Sequence, residues 1–278
     1  MNDYVHEVSA EESERIQRFV RNVAIGTVLF VLIIILAIVM APQWVKLISH
    51  QAERDFVEPY VGWVNDNLLD TSDPVLQAYV ERLGAEVAES MSVPPDLELK
   101  FYVIEGDTIN AFTTLGGHIF VLDSLMYELE DENSLAMVLG HEVAHAVNRD
   151  PLSMMGRGIL LQIMITSLSG NGGIDPSTTS ELGFDIMLNA YSRDQEEDAD
   201  RLALLALEKR YGHVGGSTDL FETLQENYGG VEPPEILSSH PDTDDRIAMI
   251  REMAKEKGWG FEATNPYPDE VREALKQP

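Results

Sequence analysis

The segment His141-Glu142-Val143-Ala144-His145 is the part of the sequence from which the fold and the chemistry are inferred. Apolar residues recur around it at helical spacing, so it is predicted to lie on a helix capped by Asn133 or Ser134. Residues four apart lie on one face of a helix, so both imidazoles can reach the same point. This arrangement predicts a Zn²⁺ site, in which Glu142 is placed to accept a proton from a water molecule activated by the metal.

The identity of a third metal ligand is restricted by what the sequence lacks. A hydrolytic zinc site needs three protein ligands and one open position. The chain contains no cysteine, which excludes thiolate ligands and disulfides. The metzincin pattern is also excluded, because Asn148 and Pro151 occupy the places of its glycine and its third histidine. The third ligand is therefore predicted to be a carboxylate further along the chain.

Two carboxylates on a helix predicted over residues 180–210 are the candidates. Glu196 and Asp200 are four residues apart and hence lie on one face of that helix. One of them is predicted to bind the metal, and the other to accept the free N–H of a ligating histidine. The spacing does not choose between the two, and Glu197 stays an alternative.

Three short segments before the zinc-binding helix are predicted to be strands, because their side chains follow a strand pattern and a Gly-Gly turn precedes the last one. A helix over 74–91 comes before them, and helices and loops follow. The prediction for residues 42–278 is a mostly helical α+β domain with a small antiparallel sheet. The three strand segments are residues 97–103, 108–113 and 118–122.

An uncharged apolar segment near the N-terminus, residues 23–41, is long enough to cross a bilayer as a helix. A cleaved signal peptide is the alternative. It is disfavoured because the segment exceeds a normal signal core and Pro42 follows the nearby cleavage candidate. Basic residues are more frequent before the segment than after it, which predicts a cytoplasmic tail over 1–22 and an external domain over 42–278.

A second apolar segment, residues 159–168, is only ten residues long and too short to span a membrane. It is predicted to be a core helix or a flap over the active cleft, with membrane contact as the alternative. The small and polar residues that follow, up to about 180, predict a mobile loop that gates the cleft.

The charge of the chain restricts its partners. Lys and Arg total 19 against 48 Asp and Glu, a formal net charge of −29. Nucleic-acid binding needs clustered basic residues, so a nucleic-acid partner is excluded. The sequence leaves the oligomeric state open.

The pattern of motifs resembles the gluzincin endopeptidases of peptidase family M48, which include the CAAX prenyl protease, HtpX, BepA and Oma-type peptidases. The resemblance rests on HExxH followed by Ser192-Arg-x-x-Glu196-x-x-Ala199-Asp200. The segments Asn110-Ala-Phe and Gly116-Gly-His-Ile-Phe-Val121 also resemble the family, as does Ser239-His240-Pro241 with Arg246. The resemblance covers residues 74–250 in order.

This resemblance implies a zincin-like metallopeptidase domain with one Zn²⁺ per chain and assigns roles to individual residues. The ligands would be His141, His145 and Glu196, and Glu142 would be the general base. Asp200 and Arg246 would support the ligands from outside. His240 would lie near the metal, where it either stabilises the oxyanion or caps the zinc in a resting state. Strand 117–121 would take a peptide by strand addition, and the substrate-binding residues implied are Asn110, Gly117, His118 and Ile119.

The function implied is a membrane-anchored zinc endopeptidase. Its place would be the bacterial inner membrane, with the peptidase domain in the periplasm or outside the cell. Its substrates would be unfolded or misassembled proteins, in envelope protein quality control. The alternative is an autoinhibited or inactive zinc-binding module that acts like a chaperone. One departure from the family is Arg149-Asp150, where many relatives have an Arg-His pair.

Overall fold

The computed structural model describes residues 9–44, 47–67, 73–169, 191–228, 234–241, 243–262 and 264–276. The described part is mostly helical, with one small sheet, as predicted. Before and within the sheet region lie α1 (Ala10–Trp44), α2 (His50–Asn67), α3 (Pro74–Glu89), β1 (Lys100–Ile104), β2 (Ala111–Thr113) and β3 (His118–Leu122). After it lie α4 (Asp123–Glu128), α5 (Glu132–Asn148), α6 (Asp150–Ser169), α7 (Arg193–Tyr211), α8 (Asp219–Tyr228), α9 (Glu235–Ser239), α10 (Thr243–Lys257) and α11 (Asp269–Ala274).

The sheet has the strand order β1-β3-β2 and is mixed. β2 pairs antiparallel with β3, whereas β1 pairs parallel with it, so the prediction of a purely antiparallel sheet is wrong. A parallel pair needs a long crossover, and residues 105–117, which include β2, provide it. β1 also begins later than predicted, because Leu97 N–H donates to the Pro94 carbonyl at 3.1 Å in a turn.

Both faces of the sheet are buried, because successive side chains of β3 pack alternately into two different apolar clusters. Ile119 and Val121 join the main core, which α3, α5 and α7 also line. Phe120 and Leu122 point to the opposite face and join a second apolar cluster with residues of α2 and α6. The sheet therefore lies between the long helix α5 on one side and the segments next to the candidate membrane anchor on the other.

Helices α5 and α7 are in close contact, and Gly140 permits it. A Cβ at this position would lie 3.3 Å from Ala203 Cα on α7. The predicted cap of α5 and the predicted start of α7 need correction. Asp131 caps α5 by accepting from Ser134 N–H at 2.8 Å. α7 begins at Arg193, because Ser192 is extended and forms a capping box with Gln195.

The rest of the predicted 180–210 helix, and most of the predicted gating loop, lie outside the described residues. The candidate membrane anchor forms the greater part of α1. By length and composition alone, Ala10–Met40 is a helix able to cross a membrane, and 11% of its most apolar window is buried. Among the described elements, α6 is the one with an extended contact with α1.

Candidate active site

Four buried side chains from three parts of the chain converge on one point. His141 and His145 lie one turn apart on α5, Glu196 lies in the first turn of α7, and His240 directly follows α9. One potential ligand atom from each lies within 4.8 Å of all the others. The exposed fractions of the four residues are 6%, 0%, 1% and 3%, respectively, so the cluster is shielded from solvent. We refer to these four residues as the metal cluster.

The spacing inside the metal cluster fits a tetrahedral ion. His141 Nε2 lies 3.0 Å from His145 Nε2 and 3.1 Å from His240 Nδ1. Glu196 Oε1 lies 3.0 Å from His240 Nδ1 and 3.5 Å from His145 Nε2. Tetrahedral zinc with bonds of about 2.0–2.1 Å separates its ligand atoms by about 3.3 Å. The four atoms are therefore spaced as zinc ligands are.

The protonation of the two helix histidines also points to a cation. His141 Nδ1 lies 2.9 Å from Asp200 Oδ1, and His145 Nδ1 lies 2.8 Å from Asp150 Oδ2. Ionised carboxylates only accept hydrogen bonds, so each Nδ1 carries a hydrogen, and in a neutral ring Nε2 then keeps a lone pair. Two lone pairs that face each other at 3.0 Å repel unless positive charge lies between them. This donor set fits Zn²⁺.

The same surroundings favour positive charge at His145. Burial alone would lower the pKa of this imidazole, but the carboxylates of Asp150 and Glu196 more than offset burial and raise the pKa to about 10. The site thus stabilises a cation, either a proton or a metal ion.

Arg246 contacts both carboxylates of α7, with one donor to Glu196 Oε2 at 2.7 Å and two donors to Asp200. Its Nε and Nη2 each donate to an oxygen of Asp200 at 2.7 Å, a bidentate pair. Burial raises the pKa of Asp200, but the Arg246 guanidinium outweighs burial, and the pKa falls to about 2. Asp200 therefore stays ionised and holds His141 from outside the cluster. Glu196 lies inside the cluster, and Glu197 is absent from the described clusters of potential ligands.

Glu142 lies beside the metal cluster and is held in place by the sheet. Its Oε2 accepts a hydrogen bond from Thr113 Oγ1 at 2.8 Å, and its main-chain oxygen accepts from the same hydroxyl at 2.8 Å. Its Oε1 lies 3.6 Å from His240 Nε2. Thr113 thus ties the end of β2 to the helix that carries both histidines.

Sequence reasoning missed three residues of this site. Asp150 was noted only as the residue that stands where many relatives have a histidine, yet its Oδ2 lies 2.8 Å from His145 Nδ1 and its Oδ1 accepts from Gln195 Nε2 at 2.7 Å. The ring of Tyr191 stacks on His145 at 3.9 Å. Thr113 was not singled out. Of the three, Asp150 was the one with a signal in the sequence, because it is a carboxylate directly after the helix with both histidines. Arg149, at φ 60°, turns the chain back and so brings Asp150 beside the last turn of α5.

The prediction that strand 117–121 binds a peptide at its edge is wrong. β3 is the central strand and pairs on both sides, so residues 117–119 cannot take a further strand. His118 is buried, its Nδ1 lies 3.0 Å from the Tyr102 hydroxyl, and burial lowers its pKa to about 4. At Gly117 a Cβ would lie 2.3 Å from the Glu98 carbonyl oxygen, so this glycine permits close packing.

The outer edge of β1 is also occupied. The Gln77 side chain accepts from Val103 N–H at 2.7 Å and donates to the Phe101 carbonyl at 2.9 Å, as a neighbouring strand would. That leaves the outer edge of β2. Asn110 O and Thr114 N bond to β3, so by alternation the main-chain groups of Ala111 and Thr113 point away from β3. Asn110 Oδ1 is buried and has no hydrogen-bond partner.

An apolar pocket adjoins the metal cluster. It is narrow: the space between its walls is about 440 Å³ when open solvent is counted, but its cavity volume is about 30 Å³. Its walls include His141, Glu142 and His240, together with apolar side chains from α5, α8 and α9. Ser217 also lines the pocket, and its buried hydroxyl has no hydrogen-bond partner. The apolar wall consists of Met137, Val138, Leu220, Phe221, Ile236 and Leu237.

The helix with two histidines, the carboxylate on the next long helix and the small sheet together define a zincin-like metallopeptidase. Comparison with known families agrees with this class. The model of peptidase family M48 matches residues 74–254, and the chain belongs to that family.

Several characterised relatives carry protease names. The chain is 27% identical over 220 residues to the beta-barrel assembly-enhancing protease of Escherichia coli, which is 73% of this chain and 44% of the relative. It is 28% identical over 198 residues to the protein of that name from Yersinia pestis, which is 66% of this chain and 40% of the relative. It is 26% identical over 209 residues to the human mitochondrial metalloendopeptidase OMA1, which is 69% of this chain and 40% of the relative. The chain spans less than half the length of these relatives.

Proposed function

We propose that this protein is a membrane-anchored zinc endopeptidase that acts on unfolded or misassembled proteins. The observation that carries the proposal is the buried set of His141, His145 and Glu196 with Glu142 directly beside it. The three ligands would hold Zn²⁺, which supplies Lewis-acid activation of a water molecule. The family and the relatives support a metallopeptidase; the metal and the substrates are proposals.

Glu142 is proposed as the general base and then the general acid. The Thr113 hydroxyl occupies Oε2, which leaves Oε1 to take a proton from the attacking water. The same oxygen then delivers that proton to the amine that leaves when the peptide bond breaks. His141 and His145 keep their orientation because Asp200 and Asp150 hold their Nδ1 atoms.

The substrate backbone is proposed to bind antiparallel along the outer edge of β2, where Ala111 and Thr113 offer main-chain groups. The direction of β2 then orients the peptide. Thr113 at one end contacts Glu142, while Ile109 at the other end accepts from Ile236 N–H on α9 at 3.2 Å. The C-terminal part of an antiparallel peptide would therefore lie toward α9 and the apolar pocket. The pocket would accept the side chain that follows the scissile bond.

Narrowing this pocket is expected to change the preferred residue after the scissile bond. Ser217→Leu adds volume without removing a hydrogen bond, since the Ser217 hydroxyl has no partner. For a peptide with leucine after the cleaved bond, kcat/KM should fall about tenfold or more relative to one with alanine. Leu220→Ala should shift the ratio in the opposite direction. Competitive cleavage of the two peptides measures it, and an unchanged ratio in both variants would place the pocket outside the substrate path.

A second candidate function, a latent or autoinhibited enzyme, is favoured by the position of His240. Its Nδ1 lies 3.1 Å from His141 Nε2 and 3.0 Å from Glu196 Oε1, where it would take the fourth position that a hydrolytic site keeps for water. Ala111 and Thr113, with exposed fractions of 0% and 1%, are also shielded from a peptide. We therefore propose that the described conformation is a closed resting form, in which His240 caps the metal.

Removal of the cap should activate the enzyme. His240→Ala is expected to keep one zinc per chain and to raise the cleavage rate, by about tenfold if the closed form outnumbers the open form ten to one. Metal content and initial rates on an unfolded protein measure this. A lower kcat with unchanged metal content would instead assign His240 to stabilisation of the oxyanion.

The proposed function is tested by metal removal from the full chain in detergent. Cleavage of casein should stop after dialysis against a chelator, and stoichiometric Zn²⁺ should restore it because the ligand set is all nitrogen and carboxylate oxygen. Mg²⁺, which prefers oxygen ligands, should not restore it. Full activity in chelator would exclude the proposed chemistry.

The place of action is proposed from the anchor and the bacterial relatives. One N-terminal apolar helix is consistent with a single-pass protein of the bacterial inner membrane. The relatives named as beta-barrel assembly-enhancing proteases support a role in quality control of envelope proteins. The peptidase domain would then face the periplasm or the exterior.

A further inference from the structure

One face of α1 is covered in the middle of the candidate membrane span. Ile34 and Ala37 are each 8% exposed, while Ile33 and Leu36 on other faces are 63% and 61% exposed. Phe30, Val31 and Ile38 are partly covered as well, so the stripe recurs every three to four residues. This is the pattern of a helix that packs against another helix along one side.

Helix α6 is the described element that packs along α1. Ile34 precedes Trp44 by ten residues, about 15 Å along the helix, which is about half the thickness of the hydrocarbon core. Because no other described element has an extended contact with α1, α6 is the described candidate to cover Ile34 and would then lie at the same depth. If α1 crosses the bilayer, α6 therefore lies partly inside it.

The sequence and length of α6 suit this position. Residues 159–168 contain no Asp, Glu, Lys or Arg and span about 15 Å as a helix, the depth of one leaflet. Arg157 precedes this segment at the level expected for headgroups. The beginning of α6 belongs instead to the folded domain, because Leu152 and Ser153 are buried there. Helical geometry allows α6 to pass from the domain into the lipid without a break.

We propose that the second half of α6 is inserted into the outer-facing leaflet beside α1 as a re-entrant segment, an inference that rests on the proposed membrane anchoring. Its first residue, Asp150, bonds to His145 in the metal cluster. Asp150 and Arg157 are seven residues apart, about 10 Å along the helix. The catalytic centre then lies close to the bilayer surface. The side chains of Trp44, Leu47 and Ile48, which follow the anchor in the sequence, are apolar and exposed. This nearness to the bilayer places the cleft where polypeptides emerge from or fail to enter a membrane, and these would be its substrates.

Because the chain has no cysteine, single cysteines report on single positions. Cysteine is placed in turn at Gln162, Ile163, Met164 and Ile165, which together sample every face of α6, and is labelled with a small fluorophore. Leu32→Cys, exposed within the span of α1, is the lipid control, and Leu205→Cys, exposed on α7, is the water control. The full chain is reconstituted in phosphatidylcholine vesicles with or without dibrominated acyl chains. Zinc content and casein cleavage confirm that each labelled variant is folded.

At least one of the four α6 positions should be quenched by brominated lipid to within about twofold of position 32, and position 205 should not be quenched. If position 32 is quenched and none of the four exceeds position 205, α6 lies in the protein core or in water and the proposal is overturned, while the anchor and the peptidase function stand. If position 32 is not quenched either, the anchoring on which the proposal rests is overturned with it. Cleavage activity is scored separately on the same samples, so failure of the peptidase function remains distinct.

Discussion

Replacement of Glu142 by glutamine is expected to lower the rate of peptide hydrolysis by about 10²–10⁴-fold, while the protein keeps its zinc. Glutamine has nearly the same shape and can still accept the Thr113 hydroxyl hydrogen bond, so the geometry of the cluster should persist. What it cannot do is take a proton from water. Glu142 is not one of the four clustered ligands, so metal content should not change.

The measurement is the initial rate of casein cleavage together with zinc per chain, on the full chain in detergent. Glu197→Gln is the matched control, because it makes the same change on α7 beside the cluster but outside it. It should leave both quantities near the wild-type values. Equal activity of Glu142→Gln and the wild type would assign the proton transfer to another group and remove the proposed mechanism.

The two histidines of the candidate metal site could be predicted from the sequence because the spacing inside one helix is fixed. His141 and His145 must share a face, and this needs no knowledge of the rest of the fold. The choice between Glu196 and Asp200 could not be made in the same way, since both also share a face. It depends on contacts with other helices, because Arg246 holds both oxygens of Asp200 and also lies 2.7 Å from Glu196 Oε2. The family resemblance implies Glu196 as the ligand, and the structure places Glu196 within the set of potential ligands and Asp200 outside it.

The sheet shows where local patterns fail. The strand pattern located β3 correctly, but the order of strands depends on pairing between distant segments, and the alternation of side chains does not encode it. β3 therefore lies in the centre and not at the edge. Asp150 was missed for a related reason. Its role follows from the left-handed turn at Arg149, a conformation that a non-glycine residue adopts only when the surrounding structure holds it.

Glu196→Gln should lose the metal, whereas Asp200→Asn should weaken its binding by about 10–100-fold. Glu196 lies in the cluster itself, so an uncharged amide would replace the anionic ligand that balances the charge of Zn²⁺. Asp200 acts on the metal only through His141, whose Nδ1 it holds at 2.9 Å. Asparagine can still accept that hydrogen bond through its amide oxygen, but without the charge that strengthens it. The difference in zinc affinity between the two variants therefore shows which of the two carboxylates binds the ion directly.

Titration with a competing chelator gives the zinc affinity of each variant. The increase of Tm on addition of zinc is an independent measure, because an ion that binds only the folded state stabilises it. Asp198→Asn, exposed on the same helix, is the control and should behave as the wild type.

Zinc should raise the Tm of Asp200→Asn, because three ligands remain, and should not raise that of Glu196→Gln. The reverse order would make Asp200 the ligand. Arg246 contacts both carboxylates, with Nη1 2.7 Å from Glu196 Oε2 and a bidentate pair to Asp200, so it is a common neighbour of the two substituted positions. The zinc affinities of the two variants therefore decide which carboxylate is the ligand.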